Sequence, residues 1–308
     1  MEKHNYKVGL ISAIACAVVW GFLPIYWDSL KPIDSFVIIF YRVFLMGLVC
    51  YLVCAAKQGI KDVFKPMFES RKTAFTYMIA GVVITINWSI YIWAVNAGFV
   101  IQTSMGYFLE PLVVCLFGVI IYKEKINKWK GISIGFALAG LLIMIIGYHQ
   151  IPLVAVSLGL SFAIYAAIKK SIHMNPIQSL LYETLIMVPI ALCFIIYVET
   201  SGQGAMAAGG GFKFFLLMFA GIATAVPMGL FSFAAAKLPL VTLGLTEYIS
   251  PSISLILGIF LFKEGFDMVQ LSAFIVIWIG LVFFTYGEIR DNRNLPAETC
   301  IEEEHVEK

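Results

Sequence analysis

Long uncharged apolar stretches, separated by short polar segments, make up most of the chain. The stretches at residues 8–27 and 131–147 contain no charged side chain, and they are too continuous for barrel strands, in which apolar and polar positions alternate. A helix needs about 20 apolar residues to cross a bilayer. The pattern therefore predicts ten transmembrane helices, at about residues 7–27, 35–56, 73–97, 102–122, 131–147, 152–168, 177–198, 213–235, 240–262 and 269–288.

The composition agrees with an all-α integral membrane protein. Of the 308 residues, 61% are hydrophobic and 13% are charged, and the mean hydropathy is +0.91. A soluble domain carries about a quarter charged residues, so this balance excludes one. The first apolar stretch has no clear small-x-small cleavage site, and we expect it to remain as a membrane anchor.

The two halves of the chain repeat the same pattern. Pro111 is followed by Lys123-Glu124, and Pro251 is followed at the same spacing by Lys263-Glu264. The second set lies 140 residues after the first. The same offset relates three pairs of glycines, Gly118 and Gly258, Gly140 and Gly280, and Gly147 and Gly287. We predict one repeat at residues 1–148, a second at 149–288 and an acidic, disordered cytoplasmic tail at 289–308. Because each repeat holds five spans, an odd number, the second must lie inverted relative to the first.

The basic residues of the loops predict the orientation of the chain. With the amino terminus inside, the outer loops contain only Lys31, Lys213 and Lys263, and the other loop Lys and Arg residues lie on the inner side. Cytoplasmic loops carry the excess of basic residues. The sequence therefore predicts a multi-pass protein of the cell (inner or plasma) membrane, with both termini cytoplasmic.

The two prolines Pro111 and Pro251 predict matched helix breaks near the middle of the fourth and ninth spans. Because proline lacks an N–H, Pro111 frees the carbonyl of Tyr107 and Pro251 frees that of Glu247. In lipid a freed carbonyl must face protein or a wet cavity. The symmetry favours a cavity at the repeat interface, and a packing kink satisfied by a neighbouring helix is the alternative.

Four charged side chains lie within the predicted spans and require partners. Counting about 1.5 Å per residue places Arg42 and Glu110 at one depth near the outer edge, which predicts an ion pair. Glu183 and Glu247 share a depth near the inner edge, where Lys169, Lys170 or Lys237 could snorkel inward. Two acids at one depth can share a proton, which suggests a proton-coupled cycle. Two separately solvated or hydrogen-bonded carboxyls are the alternative.

One face of the third span carries polar and aromatic side chains. Asn87, Trp88 and Tyr91 share this face by their spacing of three and four residues. Together with Tyr107 across the following turn, they could bind an aromatic or cationic solute by stacking or cation–π contact. Ordinary helix packing is an equally good explanation of the pattern.

Five short segments carry a family resemblance: Asn87-Trp88, Tyr91 to Asn96, Met105 to Phe108, Pro111-Leu112 and Thr224 to Pro227. They are similar to the RarD group in the EamA branch of the drug/metabolite transporter superfamily, and the resemblance covers about residues 7–288. It implies a fold of two inverted five-helix repeats and the outward transport of a small organic solute. The group leads us to expect Asn at position 110 and Gln at position 247, whereas this sequence has Glu110 and Glu247.

The sequence indicates a transporter rather than an enzyme. Its four histidines lie at helix ends or in loops, no HExxH, GxSxG or Walker pattern occurs, and nothing indicates a cofactor, a metal or a nucleic acid. We predict a proton-linked secondary active exporter of a small organic metabolite or drug-like solute that works by alternating access. Its partners are then the solute, protons and the lipid bilayer. A channel-like facilitator and a non-transporting membrane sensor or scaffold are the alternatives.

Overall fold

A computed structural model describes residues 3–149, 152–171, 174–261, 263 and 268–294. All regular elements in these ranges are α-helices, in agreement with the predicted fold class. They are α1 Lys3–Ser29, α2 Ser35–Gln58, α3 Lys65–Glu69, α4 Arg71–Asn96, α5 Val100–Ile120, α6 Lys128–Tyr148, α7 Leu153–Ser171, α8 Pro176–Thr184, α9 Met187–Thr200, α10 Ala205–Leu217, α11 Ala220–Lys237, α12 Leu240–Glu247, α13 Ile249–Phe260 and α14 Met268–Asn294.

The described helices provide the predicted membrane spans. Nine segments are long and apolar enough to cross a bilayer, with α12 and α13 forming one of them, and α8 with α9 makes a tenth if this pair, bent by 57°, counts as one span. Large apolar side chains such as Ile11, Ile146 and Val282 are exposed on the outside of the bundle. Lipid tails cover such side chains as well as protein does.

The beginning of the eighth span differs from the prediction. A helix was expected from residue 213, but residues Ala205–Leu217 form the separate helix α10, and α11 begins at Ala220. The backbone of Gly210 inside α10 is not helical, with φ 66 and ψ 179. Since glycine tolerates such a conformation at little cost, an apolar pattern alone does not reveal a break of this kind.

The two prolines do not produce the matched breaks that the sequence predicts. Helix α5 runs through Pro111 without interruption. In the ninth span the regular helix is interrupted at one residue, Tyr248, three residues before Pro251, but the backbone there remains helical (φ −62, ψ −15) and the span continues from Leu240 to Phe260. The Tyr248 hydroxyl donates a hydrogen bond of 2.7 Å to the carbonyl of Phe108 on α5, one residue after the carbonyl that Pro111 frees. Whether a helix bends or breaks at a proline depends on its neighbours.

Helices α6 and α14 are the equivalent last helices of the two repeats, and they pack against each other. A side-chain carbon at Gly140 would lie 3.0 Å from the carbonyl oxygen of Ala273, and one at Gly280 would lie 3.1 Å from that of Ser133. Gly280 and Ala273 are the counterparts of Gly140 and Ser133 under the offset of 140. The later residue of α6, Gly140, thus meets the earlier residue of α14, Ala273, and the earlier residue Ser133 meets the later residue Gly280. The two helices are therefore antiparallel, as an inverted repeat requires.

We expect the substitution Gly81→Ala to destabilise the protein. A side-chain carbon at Gly81 on α4 would lie 1.9 Å from the carbonyl oxygen of Glu183, at the end of α8 just before the bend. Backbone atoms cannot move aside cheaply, so the free energy of unfolding should fall by about 1–3 kcal/mol. Unfolding in mixed detergent micelles measures this change.

Gly135→Ala on α6 is the matched control, because a carbon added at Gly135 meets no atom within 4 Å. Alanine forms helices better than glycine, so this substitution should leave the free energy of unfolding unchanged or raise it by about 0.5–1 kcal/mol. Equal effects of the two substitutions would contradict the close packing of α4 against the bend.

Candidate functional site

Arg42 on α2 lies between two tryptophan rings inside the bundle. Its guanidinium carbon is 5.1 Å from the ring centre of Trp27 on α1 and 4.4 Å from that of Trp88 on α4. No ion pair joins Arg42 to another side chain in the described ranges, and its Nε is buried without a hydrogen-bond partner. The two rings offset part of the cost of burying the charge. The guanidinium remains able to bind an anion.

The predicted ion pair between Arg42 and Glu110 is absent from the structure. No nitrogen of Arg42 lies within 4.0 Å of a Glu110 oxygen. Instead Tyr107, one turn before Glu110 on α5, interacts electrostatically with both side chains. The prediction of this ion pair was wrong. Counting residues along a helix gives the depth of a side chain in the membrane, but it does not give the direction in which the side chain points.

The rings of Tyr91 on α4 and Tyr107 on α5 pack against each other. Their ring centres are 6.0 Å apart, and Tyr107 is 44% exposed although it lies near the middle of α5. The charged groups of Arg42 and Glu110 interact electrostatically with the Tyr107 side chain. Trp88 is linked to this group of side chains through its contact with Arg42.

Glu247 is buried at the end of α12. It is 5% exposed, and its Oε1 is buried without a partner. The acid that interacts with it electrostatically is Glu110 on α5, not the predicted Glu183. The thiol of Cys16 on α1 also interacts electrostatically with Glu247. Arg42 and Glu247 thus each have one buried side-chain atom without a partner.

Both carboxylate oxygens of Glu183 have partners other than Glu247. It forms a buried ion pair with Lys169 on α7, in which the side chains are 2% and 1% exposed. The hydroxyls of Ser179 and Tyr165 donate hydrogen bonds of 2.7 and 3.1 Å to the same carboxylate. The sequence named Lys169 as one of three lysines that could reach this depth, and the structure selects it. Glu183 therefore has no free oxygen with which to share a proton with Glu247.

Asn87 and Pro111 lie at close contacts between helices. The Asn87 amide donates hydrogen bonds of 2.9 Å to the Leu158 carbonyl and to the Ser161 hydroxyl, and so attaches α4 to α7. Pro111 is buried, and its carbonyl oxygen is 2.7 Å from the place of a side-chain carbon at Gly244 on α12. Pro251 is half-buried on α13. The hydrogen bonds of Asn87 agree with the packing alternative for this residue.

An ion-pair network at one end of the bundle was missed by the sequence analysis. Lys130 at the start of α6 forms an ion pair of 2.9 Å with Glu288 on α14 and donates a hydrogen bond of 2.8 Å to Thr242 on α12. The Tyr6 hydroxyl of α1 also donates to Glu288. Lys130 and Glu288 look like loop-edge charges in the sequence, because both lie next to the polar ends of their spans.

Glu124 adds contacts with α12 and α7 to the ion-pair network at this end of the bundle. Its two carboxylate oxygens accept hydrogen bonds of 2.7 and 2.9 Å from the backbone N–H groups of Leu240 and Val241, which start α12. Lys170 on α7 lies 3.4 Å from the same carboxylate. Burial and the charge of Glu124 raise the pKa of the nearby Tyr122. The repeated Lys-Glu motif marked Glu124 in the sequence. It did not indicate that the Glu124 carboxylate binds the backbone N–H groups at the start of α12.

The opposite end of the bundle has a neutral contact at the equivalent position. Gln270 on α14 is the counterpart of Lys130 under the offset of 140, and its Nε2 donates a hydrogen bond of 2.8 Å to Ser104 on α5. Residues 264–267, which include the counterpart of Glu124, lie outside the described residues. In the described ranges, no three His, Cys, Asp or Glu side chains are grouped to hold a metal ion.

A helical membrane protein with an internal repeat and unpartnered ionisable groups buried in its spans has features of a transporter. The sequence comparison is specific: the EamA-like transporter family matches residues 7–146 and again residues 150–286. The chain therefore belongs to the EamA-like transporter family, and two matches in tandem agree with the internal repeat. Membership in a transporter family also implies a transported solute.

Curated relatives match along almost the whole chain. An uncharacterized transporter of Bacillus subtilis (strain 168), YojE, is 33% identical over 95% of this chain and 98% of its own length. Protein RarD of Streptomyces exfoliatus is 32% identical over 96% of this chain and 93% of its own. The resemblance to the RarD group is thereby confirmed. A crystal structure of a protein with 14% identity covers 94% of this chain and 99% of its own at a TM-score of 0.66, which shows the fold alone.

Proposed function

We propose that the protein is a proton-linked secondary transporter that exports a small organic metabolite or drug-like solute by alternating access. The observation that carries this proposal is the pair of unpartnered buried groups, Arg42 Nε and Glu247 Oε1, within the membrane spans. A buried ionisable group without a partner is costly in a membrane protein and marks a solute or proton pathway. A solute and a proton that reach these groups during transport supply the missing partners.

The carboxyl pair supports the proton link. Glu110 and Glu247 come from α5 and α12, the equivalent spans of the two repeats, and they interact electrostatically. Two neighbouring carboxyls disfavour double ionisation, so one proton is readily held between them. Binding and release of this proton is then coupled to the arrangement of α5 relative to α12.

The two ends of the bundle support alternating access. The network of Lys130, Glu288 and Glu124 joins helices at one end by ion pairs and charge-assisted hydrogen bonds, and a hydrogen bond from Gln270 to Ser104 joins α14 to α5 at the other. Rocking of the repeats would open these contacts in turn.

The charge distribution supports a cytoplasmic location for the ion-pair network and for both termini. The repeat boundaries are proposed at residues 1–148 and 149–288, and the acidic segment 289–308 as a cytoplasmic tail. The prediction of disorder from residue 289 was wrong for residues 289–294, because α14 continues to Asn294, and residues 295–308 lie outside the described part. The antiparallel packing of α6 on α14 supports the inverted orientation of the second repeat.

We expect single cysteines introduced at residues 123–130 to react with membrane-impermeant reagents only from the cytoplasm, and those at 265–267 only from outside. The starting variant must lack the six native cysteines. The reason is the opposite placement of equivalent loops in an inverted repeat. Labelling of intact cells and of inverted vesicles measures the side. Reaction of both segments from one side would contradict the inverted repeat.

Flux in sealed proteoliposomes tests the proposed function. A metabolite panel is first screened for thermal stabilisation of the purified protein, because a bound solute stabilises the folded state by mass action. The best stabiliser is then followed with and without a pH gradient. Saturable flux that the gradient drives supports the transporter, unsaturated conductance indicates a channel-like facilitator, and binding without flux indicates a sensor.

A further inference from the structure

The buried lysines of the bundle have carboxylate partners, whereas Arg42 has none in the part of the chain that the structure describes. Lys130 and Lys169 are both buried. Lys130 lies 2.9 Å from a carboxylate oxygen of Glu288, and Lys169 forms an ion pair with Glu183. No Asp or Glu oxygen of the described residues lies within 4.0 Å of an Arg42 nitrogen. The fold thus neutralises its buried lysines and leaves the charge of Arg42 without a counterion.

The side chain of Arg42 points into the bundle. Its neighbours on the same face of α2, one turn away on either side, are Ile38, Leu45 and Met46, and they are 8%, 8% and 3% exposed. Residues three and four apart lie on one face of a helix. This face of α2 therefore packs against other helices, and the charge of Arg42 lies among them rather than in lipid.

Two tryptophan rings from other helices hold the guanidinium in this position. Its central carbon is 5.1 Å from the ring centre of Trp27 on α1 and 4.4 Å from that of Trp88 on α4. The Trp27 ring packs in turn against Tyr26, with ring centres 4.8 Å apart, and Trp88 packs against a hydrophobic core cluster. Indole rings stabilise a cation over their faces, but they bring no negative charge and no hydrogen-bond acceptor. They orient the guanidinium without neutralising it.

The terminal nitrogens of Arg42 remain accessible. Arg42 is half-buried as a residue. Its Nε is buried without a partner, but Nη1 and Nη2 are not among the buried atoms that lack one, and within the described residues they donate no hydrogen bond. They therefore keep accessible surface. The terminal N–H groups of a guanidinium form a planar fork that matches the two oxygens of a carboxylate.

We propose that the transported solute is a monocarboxylate whose carboxylate group binds the accessible edge of the Arg42 guanidinium. One unpaired cation requires one negative charge, and a flat oxyanion fits the fork through two parallel hydrogen bonds. A phosphate dianion would bring a second negative charge, whereas Trp27, Trp88 and the flanking residues of α2 are uncharged. This inference rests on the proposed function and names the substrate class for it.

Matched pairs of probes test this inference on the purified full-length protein in detergent micelles. The pairs are benzoate with benzamide, phenylacetate with phenylacetamide, and butyrate with butyramide, and the two members of a pair differ in the charge of one group. Isothermal titration calorimetry at constant ionic strength should find at least one carboxylate bound at least about tenfold more tightly than its amide, which corresponds to about 1.4 kcal/mol. Equal affinities within every pair, no binding of any probe, or equal displacement of the carboxylate by chloride or inorganic phosphate would overturn the inference.

Substitutions of Arg42 locate the binding site. Arg42→Gln removes the charge and should abolish the preference for the carboxylate over its amide. Arg42→Lys keeps the charge but not the fork, so it should retain a smaller preference than the parent. Arg290→Gln is the matched control, because Arg290 is exposed near the end of α14, and its preference should equal that of the parent. An unchanged preference in Arg42→Gln would overturn the assignment to Arg42.

Tryptophan fluorescence locates the site without a change of Arg42, and it decides the question if Arg42→Gln does not fold. A carboxylate bound to the guanidinium lies next to Trp27 and Trp88, so its binding should change the emission of the parent protein. The double variant Trp27→Phe, Trp88→Phe should lose most of this change at saturating carboxylate, although four of the six tryptophans remain. If the full change persists in the double variant, the carboxylate binds elsewhere and the inference is wrong.

The outcomes separate this inference from the proposed function. Saturable, gradient-driven flux of a solute without a carboxylate, together with equal affinities within every probe pair, would keep the transporter and remove the monocarboxylate. Carboxylate binding that depends on Arg42, with no flux of any solute, would keep the binding site and remove the transporter.

Discussion

Glu247→Gln should abolish the accumulation of solute driven by a pH gradient and leave exchange of solute between the two faces intact. Glutamine keeps the size and hydrogen-bonding capacity of the side chain but cannot bind and release a proton. Because Glu247 is buried with one oxygen unpartnered and interacts electrostatically with the acid Glu110, we propose it as the group on which the proton link depends. Uptake into proteoliposomes with and without an imposed gradient measures both activities.

The control for this substitution is Asp28→Asn. Asp28 is also acidic, but it forms an exposed ion pair of 2.7 Å with Lys31 at the end of α1. We expect accumulation by this variant to match that of the parent. If Glu247→Gln accumulates solute as well as the parent does, Glu247 is not the coupling group, and Glu110→Gln is the next variant to measure.

Removal of one partner of the buried Lys169–Glu183 pair should cause the largest loss of stability. With Glu183→Met, the Lys169 ammonium remains in the core without its partner, and a broken buried pair costs about 3–5 kcal/mol. The pair joins α7 to the end of α8, where Gly81 of α4 also packs. The loss can be measured as a change in the free energy of unfolding in mixed micelles.

Two further variants make this measurement specific. The double substitution of Lys169 and Glu183 by Met should recover at least half of the loss, because apolar residues of similar volume often replace a buried ion pair without cost. Lys31→Met removes an exposed pair and should change the free energy of unfolding by no more than about 1 kcal/mol. A double variant as unstable as the sum of the two single variants would contradict the buried pair.

Some features of the site were predictable because they depend on residue type and spacing alone. Charged side chains in apolar spans are rare enough that Arg42, Glu110, Glu183 and Glu247 could be selected directly from the sequence. The pairing of these residues was not predictable in the same way. A residue count gives depth along one helix, whereas contact also depends on the direction of each side chain, which the packing of distant helices fixes. The sequence therefore paired Glu247 with Glu183, whereas in the structure Glu183 pairs with Lys169 and Glu247 interacts electrostatically with Glu110.

The ion-pair network shows a second limit of sequence reasoning. Lys130 and Glu288 lie 158 positions apart in the chain and at opposite ends of their spans, and they meet at 2.9 Å because α6 and α14 are antiparallel. In addition, a membrane helix is apolar both toward lipid and toward protein, so its pattern does not mark the buried face as it does in a soluble helix. Partners across helices had to come from the structure.

By itself the sequence determined the membrane class, the approximate positions of the spans and the twofold repeat, because length, hydrophobicity and a constant offset are properties of the linear chain. Only the tertiary structure decided that α5 continues through Pro111 while the regular helix of the ninth span is interrupted at Tyr248. It also decided that Lys169 neutralises Glu183 and that Arg42 lies between Trp27 and Trp88. These outcomes depend on which helices become neighbours, and the free energy of a buried charge or a freed carbonyl is set by those neighbours.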